Sequence, residues 1–177
     1  MARIDNDAYY TPSWMVRELL DRVRITGMVL ESCAGDGAIA DALDGDERVV
    51  KRNDLFVTGG LRYDATSNHL YYATRPDWVV TNPPFSLAAN ILATTLKHVK
   101  RVALLLRLSF LEPTKNREAL LHRHPPSGII ILPRWSFTGS GSDSCTCAWM
   151  LWGLPMSPAI QVTTRLRRDT AQRERNE

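Results

Sequence analysis

Six short apolar runs, separated by amphipathic segments, limit the folds open to this chain more than any other feature. The runs are GMVLE (27–31), VVKRND (49–54), DWVVT (77–81), RVALLLRL (101–108), GIIIL (128–132) and CAWMLW (147–152). Their length and their β-branched and aromatic content predict strands. SWMVRELLDRV (13–23), GAIADAL (37–43), SLAANILATTLKHV (86–99) and TKNREALLHR (114–123) carry apolar residues at helical spacing and predict helices. Strands alternating with helices predict an α/β fold, a mostly parallel sheet covered on both faces. Such sheets bind ligands beyond the carboxyl ends of their strands. The residues that follow each run therefore carry the information about function.

The chain has 177 residues, of which 44% are hydrophobic and 23% charged. That suffices for one domain with its own core. The reading here is a domain over residues 1–156 and a basic tail over 157–177. No apolar run has membrane-spanning length, and MARIDNDAYYTP at the start lacks the apolar region of a signal peptide. The expectation is a cytoplasmic protein that does not enter membranes. Three cysteines, Cys33, Cys145 and Cys147, match neither a disulfide framework nor a zinc spacing, so no metal is expected. The formal charge of +3 favours a polyanionic partner only slightly. RLRRDTAQRER holds five arginines against two acids; it serves either as a solvated end or as a phosphate contact.

After the first run comes Glu31-Ser32-Cys33-Ala34-Gly35-Asp36-Gly37, opening into a helix. Small residues there keep the turn tight and let backbone approach a ligand. The lysine and Ser/Thr of a phosphate-gripping loop are absent, which disfavours ATP and GTP. After the second run comes Asn53-Asp54-Leu55, where a carboxylate either holds a ribose diol or begins an ordinary loop. A third, poorly defined strand is expected before Tyr63-Asp64-Ala65-Thr66. Asp64 fits either an acceptor for an adenine amine, with Leu55 against the ring, or a turn residue. A nucleoside without a phosphate grip points to S-adenosylmethionine, whose sulfonium carries a transferable methyl group. Tyr9-Tyr10-Thr11-Pro12 precedes the first helix. Thr11 can cap that helix with Pro12 at its first position, or the segment can close over the methionine end of the cofactor.

The third of the quoted helix-free stretches, DWVVTNPPFS (77–86), ends a strand in Asn82-Pro83-Pro84-Phe85. Prolines cannot donate to a sheet ladder, which explains the strand's end but neither Asn82 nor Phe85. An exocyclic amine is a poor nucleophile because its lone pair is delocalised into the ring. Two acceptors on its two N–H bonds favour a more tetrahedral nitrogen. Asn82 offers a side-chain oxygen and Pro83 a main-chain carbonyl, whose direction Pro84 restricts. Phe85 offers a flat face for stacking.

With those motifs in that order, the chain resembles the class I S-adenosylmethionine-dependent methyltransferases of the amino-methylating branch. It looks most like the short phage and prophage proteins similar to adenine-specific DNA methyltransferases. The landmarks are YYTP (9–12), ESCAGDGA (31–38), NDL (53–55), YDAT (63–66), TNPPF (81–85), LLLRLSFLEP (104–113) and RWSFTGSGSDSCTCAWMLW (134–152). The resemblance implies a Rossmann-like sheet of seven strands in which the last, CAWMLW, is antiparallel. It implies N6-methylation of adenine in DNA, with Asn82, Pro83, Pro84 and Phe85 catalytic. The implied cofactor contacts are Tyr10, Thr11, Pro12, Glu31, Cys33, Ala34, Gly35, Gly37, Asp54, Leu55, Asp64, Ala65 and Asn82. It also implies that the loop at 134–146 borders the substrate pocket, with Phe137 either a second stacking surface or a hydrophobic anchor.

The chain departs from sequence-specific DNA adenine methyltransferases in lacking their added target-recognition domain. Specificity is then expected from loops, the tail, a partner or a homo-oligomer. The same signature serves enzymes that modify adenine in RNA or glutamine in protein, and a non-catalytic binding module is the reading from another class. The chain lacks the N-terminal helical domain of release-factor glutamine methyltransferases, and its full set of Asp54, Asp64, Asn82 and Phe85 argues against a silent module.

Overall fold

The central apolar runs are buried on both faces of one sheet. In a computed structural model that describes residues 11–57, 59–136 and 145–163, the strands are β1 (Gly27–Glu31), β2 (Arg48–Arg52), β3 (Trp78–Thr81), β4 (Arg101–Arg107), β5 (Gly128–Ile131), β6 (Cys147–Trp152) and β7 (Ile160–Val162). Their order is β2-β1-β3-β4-β6-β5-β7. Every residue of β3 and β6 is buried, as continuous apolar strands between neighbours should be. RVVKR of β2 buries none of its five residues and takes the sheet edge. Pairing is parallel throughout, except that β6 runs antiparallel between β4 and β5.

Helices cover both faces, and the period-2 alternation of the strands decides which core each side chain joins. Trp78 and Val80 of β3, with Ala103 and Leu105 of β4, pack against α1 (Ser13–Leu20) and α2 (Ala38–Leu43). Val79, with Leu104 and Leu106, packs against α3 (Asn68–Thr74) and α4 (Ala88–His98). Leu120 and Leu121 of α5 (Glu118–Arg123) lean on that second core. The indole of Trp149 in β6 is fully buried and donates to the Met15 carbonyl at 2.7 Å, which ties α1 to the sheet.

Four expectations change. No strand forms before Tyr63; Leu61 makes only an isolated bridge to Asn53, because the glycines at 59 and 60 break the chain's direction there. The chain from Asn68 instead forms α3, capped by Ser67, whose hydroxyl accepts from His69 N. CAWMLW is the antiparallel strand, and β7 follows it in chain order, parallel to β5. The sheet therefore continues past residue 156. Thr163, just after β7, donates its hydroxyl to the buried Glu18 of α1 at 3.0 Å. Residues 164–177 of the basic tail lie outside the described residues. Among the described residues no helix is long and apolar enough to cross a membrane.

Candidate active site

Strand order reverses beside β1: the chain goes from β1 outward to β2, then returns to β3 on the other side. The connections that follow β1 and β3 consequently run to helices on opposite faces of the sheet, α2 and α4, the arrangement that leaves a ligand crevice in open α/β sheets. Four hydrogen bonds across long stretches of sequence build its walls. Cys33 N donates to Thr81 Oγ1 (3.1 Å), Gly35 N to Asp54 Oδ2 (2.9 Å), Tyr63 N to Asn53 Oδ1 (2.8 Å) and Asn82 Nδ2 to Thr11 Oγ1 (3.1 Å). The segments holding Thr11, Cys33, Asp54, Tyr63 and Asn82 are thereby joined at one end of the sheet.

The glycine turn spends its donors on the protein itself. Besides Cys33 and Gly35, Ala34 N donates to Asn53 O (2.9 Å), Gly37 N to Ala34 O (2.8 Å) and Ala38 N to Asp36 Oδ1 (3.1 Å). A loop whose amides are committed this way is not an anion nest, which agrees with the absence of a phosphate-gripping motif. Gly35 and Gly37 both adopt positive φ, at 53° and 85°, so the turn needs glycine at these places. A Cβ on Gly37 would also come within 2.8 Å of an Arg52 guanidinium nitrogen. Ala34, Gly35, Asp36, Gly37 and Asp54 line a cleft of about 150 Å³, together with Arg52, Val57, Gly59 and Gly60.

Glu31 does not line that cleft. It is 1% exposed, and its carboxylate accepts from Ala40 N at 2.9 Å, inside α2. Burial pushes its pKa up to about 8. Glu31 thus ties the end of β1 to α2. The half-buried Cys33 has its thiol pushed up to about 12, mainly by desolvation, and so presents an unreactive side chain.

Asp54 corrects its expected role in part. Its Oδ2 accepts from Gly35 N and its Oδ1 from Phe56 N (2.9 Å) and Val57 N (3.1 Å). An ionised carboxylate has about four acceptor sites, and three are taken. At most one hydrogen bond remains for a ribose, not two. Asp64 is exposed and makes a local turn, its Oδ1 accepting from both the N–H and the hydroxyl of Thr66. That turn engages one of the two Asp64 oxygens. Leu55 is 43% exposed, Phe56 66% and Tyr63 38%, large apolar side chains left uncovered. Ala65 is buried, its carbonyl accepting from the Tyr71 hydroxyl at 2.8 Å.

Asn82 sits in the first position after β3, half-buried, with its amide plane held by Thr11. Thr11 does not cap α1. The N-cap position falls on Pro12, whose carbonyl accepts from Met15 N at 3.0 Å, and the helix begins at Ser13. The threonine hydroxyl is thereby left to Asn82. Pro84's carbonyl accepts from Leu87 N at 2.9 Å, while the Pro83 carbonyl takes no hydrogen bond among the described residues. Phe85 is half-buried, and the Arg107 guanidinium stands over its ring, 4.5 Å from the centroid. Tyr10 and Phe137 lie outside the described residues.

Sequence reasoning passed over three residues that hold this arrangement. Asn53 is fully buried and bonds to Ser32 O, Tyr63 O and Tyr63 N. Thr81 fastens the glycine turn to β3. Arg107 ends β4 against Phe85. The available signal was the same for each: a polar side chain closing an apolar run, where a strand end meets the crevice.

No protein-family model and no curated protein matches the sequence. Solved structures do resemble the fold. The modification subunit of a provisionally assigned type I restriction enzyme from Vibrio vulnificus YJ016 aligns with a TM-score of 0.62 at 15% identity, over 84% of this chain and 45% of that one. A Pyrococcus horikoshii protein provisionally described as an RNA methyltransferase aligns with 0.61 at 14% identity, over 88% of this chain and 91% of its own. The M protein of the type I restriction enzyme EcoKI aligns with 0.55 at 15% identity, over 82% of this chain and 44% of that one. The chain thus spans less than half the length of the two modification proteins. At such identities the likeness is one of fold.

Proposed function

We propose that the chain is an S-adenosylmethionine-dependent methyltransferase whose acceptor is the exocyclic N6 amine of adenine in DNA. One observation carries this reading. The Asn-Pro-Pro-Phe segment after β3 is hydrogen-bonded to the segment before α1 through Asn82 and Thr11, and its neighbour Thr81 is bonded to the glycine turn. The Asn-Pro-Pro-Phe segment and the glycine turn thus meet at one end of the sheet, which supports a shared site for methyl donor and acceptor.

The residues fit the cofactor. The turn's committed amides suit a ligand without phosphates. Asp36 and Asp54 place carboxylates along the cleft for a cationic ligand with a diol. Leu55 and Tyr63 offer uncovered apolar surface for a ring. When bound, the sulfonium supplies a methyl group reactive enough for a neutral nitrogen, so no strong base need act before attack.

In this mechanism Asn82 Oδ1 and the Pro83 carbonyl accept from the two N–H bonds of the acceptor. The lone pair is withdrawn from the ring and aimed at the methyl carbon. The acceptor nitrogen would take the methyl group that the bound cofactor supplies, and its surplus N–H proton would leave to solvent. Phe85 holds the ring in plane by stacking. Positioning and preorganised dipoles supply the acceleration. Adenine in RNA is the second reading, suggested by the fold likeness to the Pyrococcus protein. A partner chain or a second copy of this chain would add target recognition.

The test is expression in a host free of adenine methylation, followed by mass spectrometry of hydrolysed DNA and RNA, with calorimetric titration of the purified protein by S-adenosylmethionine. The expected result is saturable cofactor binding and N6-methyladenine in DNA. Methyl groups confined to RNA would select the second reading. Absence of cofactor binding would overturn both.

A further inference from the structure

We infer that Cys145 and Cys147 are a redox-modification site, a dithiol that a small-molecule disulfide converts reversibly to an internal Cys145–Cys147 bridge. The inference goes beyond the methyl-transfer reading and stands on other residues.

The two thiols already face each other. Residues two apart on an extended chain share a face, and the sulfur of Cys145 lies 3.5 Å from that of Cys147. A bridge asks that gap to close to about 2.05 Å. At Cα, strand residues of this spacing stand about 6.7 Å apart, near the upper end of the roughly 4.4–6.8 Å that disulfides span. The link is thus within reach of a small backbone movement, yet it draws the chain tighter than a regular strand. Disulfides of that kind are the labile ones, made and broken in use. The movement falls on Cys145. Cys147 opens β6 in register with Arg107 of β4, whereas Cys145 makes only an isolated bridge to Trp135.

Access divides the roles. Cys145 is half-buried and Cys147 is buried. The hydrogen bond to Cys145 and burial push the Cys147 thiol well above its ordinary range. Cys145 therefore meets the oxidant and Cys147 resolves the intermediate. In the first step the Cys145 thiolate attacks one sulfur of the small disulfide, whose S–S bond breaks and releases one thiolate. In the second, Cys147 passes its proton to solvent and its sulfur displaces the other thiolate from Cys145. Two protein thiols give up two electrons and two protons, and the small disulfide becomes two thiols.

The bridge is felt beyond the pair. Cys145 N donates to Trp135 O (3.1 Å) and Trp135 N to Cys145 O (3.3 Å). The Trp135 ring meets the buried Trp14 edge to face, with centroids 5.8 Å apart. Trp14 belongs to α1, directly after the segment from which Thr11 holds Asn82. Drawing Cys145 toward Cys147 pulls on the Trp135 bridge and so on Trp14. Cys33 packs with the core on the opposite face of the sheet and takes no part.

The test equilibrates the purified protein in glutathione buffers from fully reduced to fully oxidised, alkylates the remaining thiols and reads the peptides by mass spectrometry. Wild type, Cys33→Ser, Cys145→Ser and Cys147→Ser are compared. The wild-type peptide that carries Cys145 and Cys147 should lose both alkylation sites together and become two hydrogens lighter. Its oxidised fraction should follow glutathione disulfide over the square of glutathione, as an internal bridge requires. Cys33→Ser should titrate like wild type, and Cys147→Ser should stop at a glutathione adduct on Cys145. In amide spectra of nitrogen-labelled protein, the indole N–H signals of Trp14 and Trp135 should shift on oxidation. That of Trp152, in the opposite core and bonded to His124 O, should hold its place. Thiols at 145 and 147 that stay alkylatable at the oxidised end would overturn the inference. Glutathione adducts or links between chains in place of the internal bridge in wild type would do the same. An internal bridge that moves neither indole signal would keep the modification site and remove its reach to α1. None of these readouts depends on methyl transfer, so this inference and the reaction proposed above fail separately.

Discussion

The two sides of the crevice are built on opposite plans. On the glycine-turn side nearly every polar group is already committed. Five backbone amides of the turn, three of about four acceptor sites on Asp54, and the whole Asn53 amide are spent within the protein. On the Asn-Pro-Pro-Phe side the Pro83 carbonyl takes no hydrogen bond among the described residues, and Phe85 is only half-buried. A closed network gives a rigid cradle of fixed shape, suited to holding one ligand in one place. A carbonyl without a bond among the described residues, at a rigid corner, suits transient contact with an amine that arrives, reacts and leaves. The difference separates binding from chemistry, and substitutions on the two sides should fail in different ways.

The largest effect should come from the acceptor side. Asn82→Ala should lower the methyl-transfer rate by about 10²–10³-fold, with only a modest loss of cofactor affinity. Single-turnover transfer and calorimetry read the two separately. Comparable activity in the variant would remove the mechanism. Next in size is a loss of stability from the cradle side. Asn53→Ala removes three hydrogen bonds at a fully buried site and should cost about 3 kcal/mol in urea unfolding. A stability within about 0.5 kcal/mol of wild type would show that the cradle is looser than it looks.

Asp54→Ala should weaken S-adenosylmethionine binding about tenfold while leaving the rate at saturating cofactor nearly intact. A fall in that rate equal to the fall in affinity would blur the separation. The smallest effect concerns Glu31, whose pKa burial raises to about 8 from its ordinary value. Its contribution to stability is full below the unfolded pKa and is lost as pH rises through about 8. Between about pH 5 and pH 9 the melting temperature of wild type should therefore fall further than that of Glu31→Gln, by a few degrees. Parallel curves would mean that Glu31 stays ionised in the folded protein.

How much could be read from the sequence followed from what kind of force shapes each part. The six apolar runs and four of the helices were legible because burial on a sheet or a helix face imposes a period on the sequence. α3 was passed over, although Ser67 marks its cap and Leu70, Tyr71 and Thr74 its buried stripe; seven residues give too few turns for the period to stand out. β7 was passed over because an exposed edge strand of three residues carries no burial signal at all. At the site, the residue types were legible and their partners were not. Whether Thr11 caps α1 or meets Asn82, 71 positions away, is decided by tertiary structure. The same holds for Asp54, whose local loop consumes acceptors that a motif alone leaves for a ligand, and for Arg107, which looks in sequence like the end of any strand.

The most direct measurement is a crystal structure of the protein with a non-reactive cofactor analogue and an adenine-containing oligonucleotide. Asn82 Oδ1 and the Pro83 carbonyl should each lie about 2.7–3.2 Å from N6, with that nitrogen facing the analogue's sulfonium position. An adenine held elsewhere, with both oxygens turned away from its amine, would contradict the central claim.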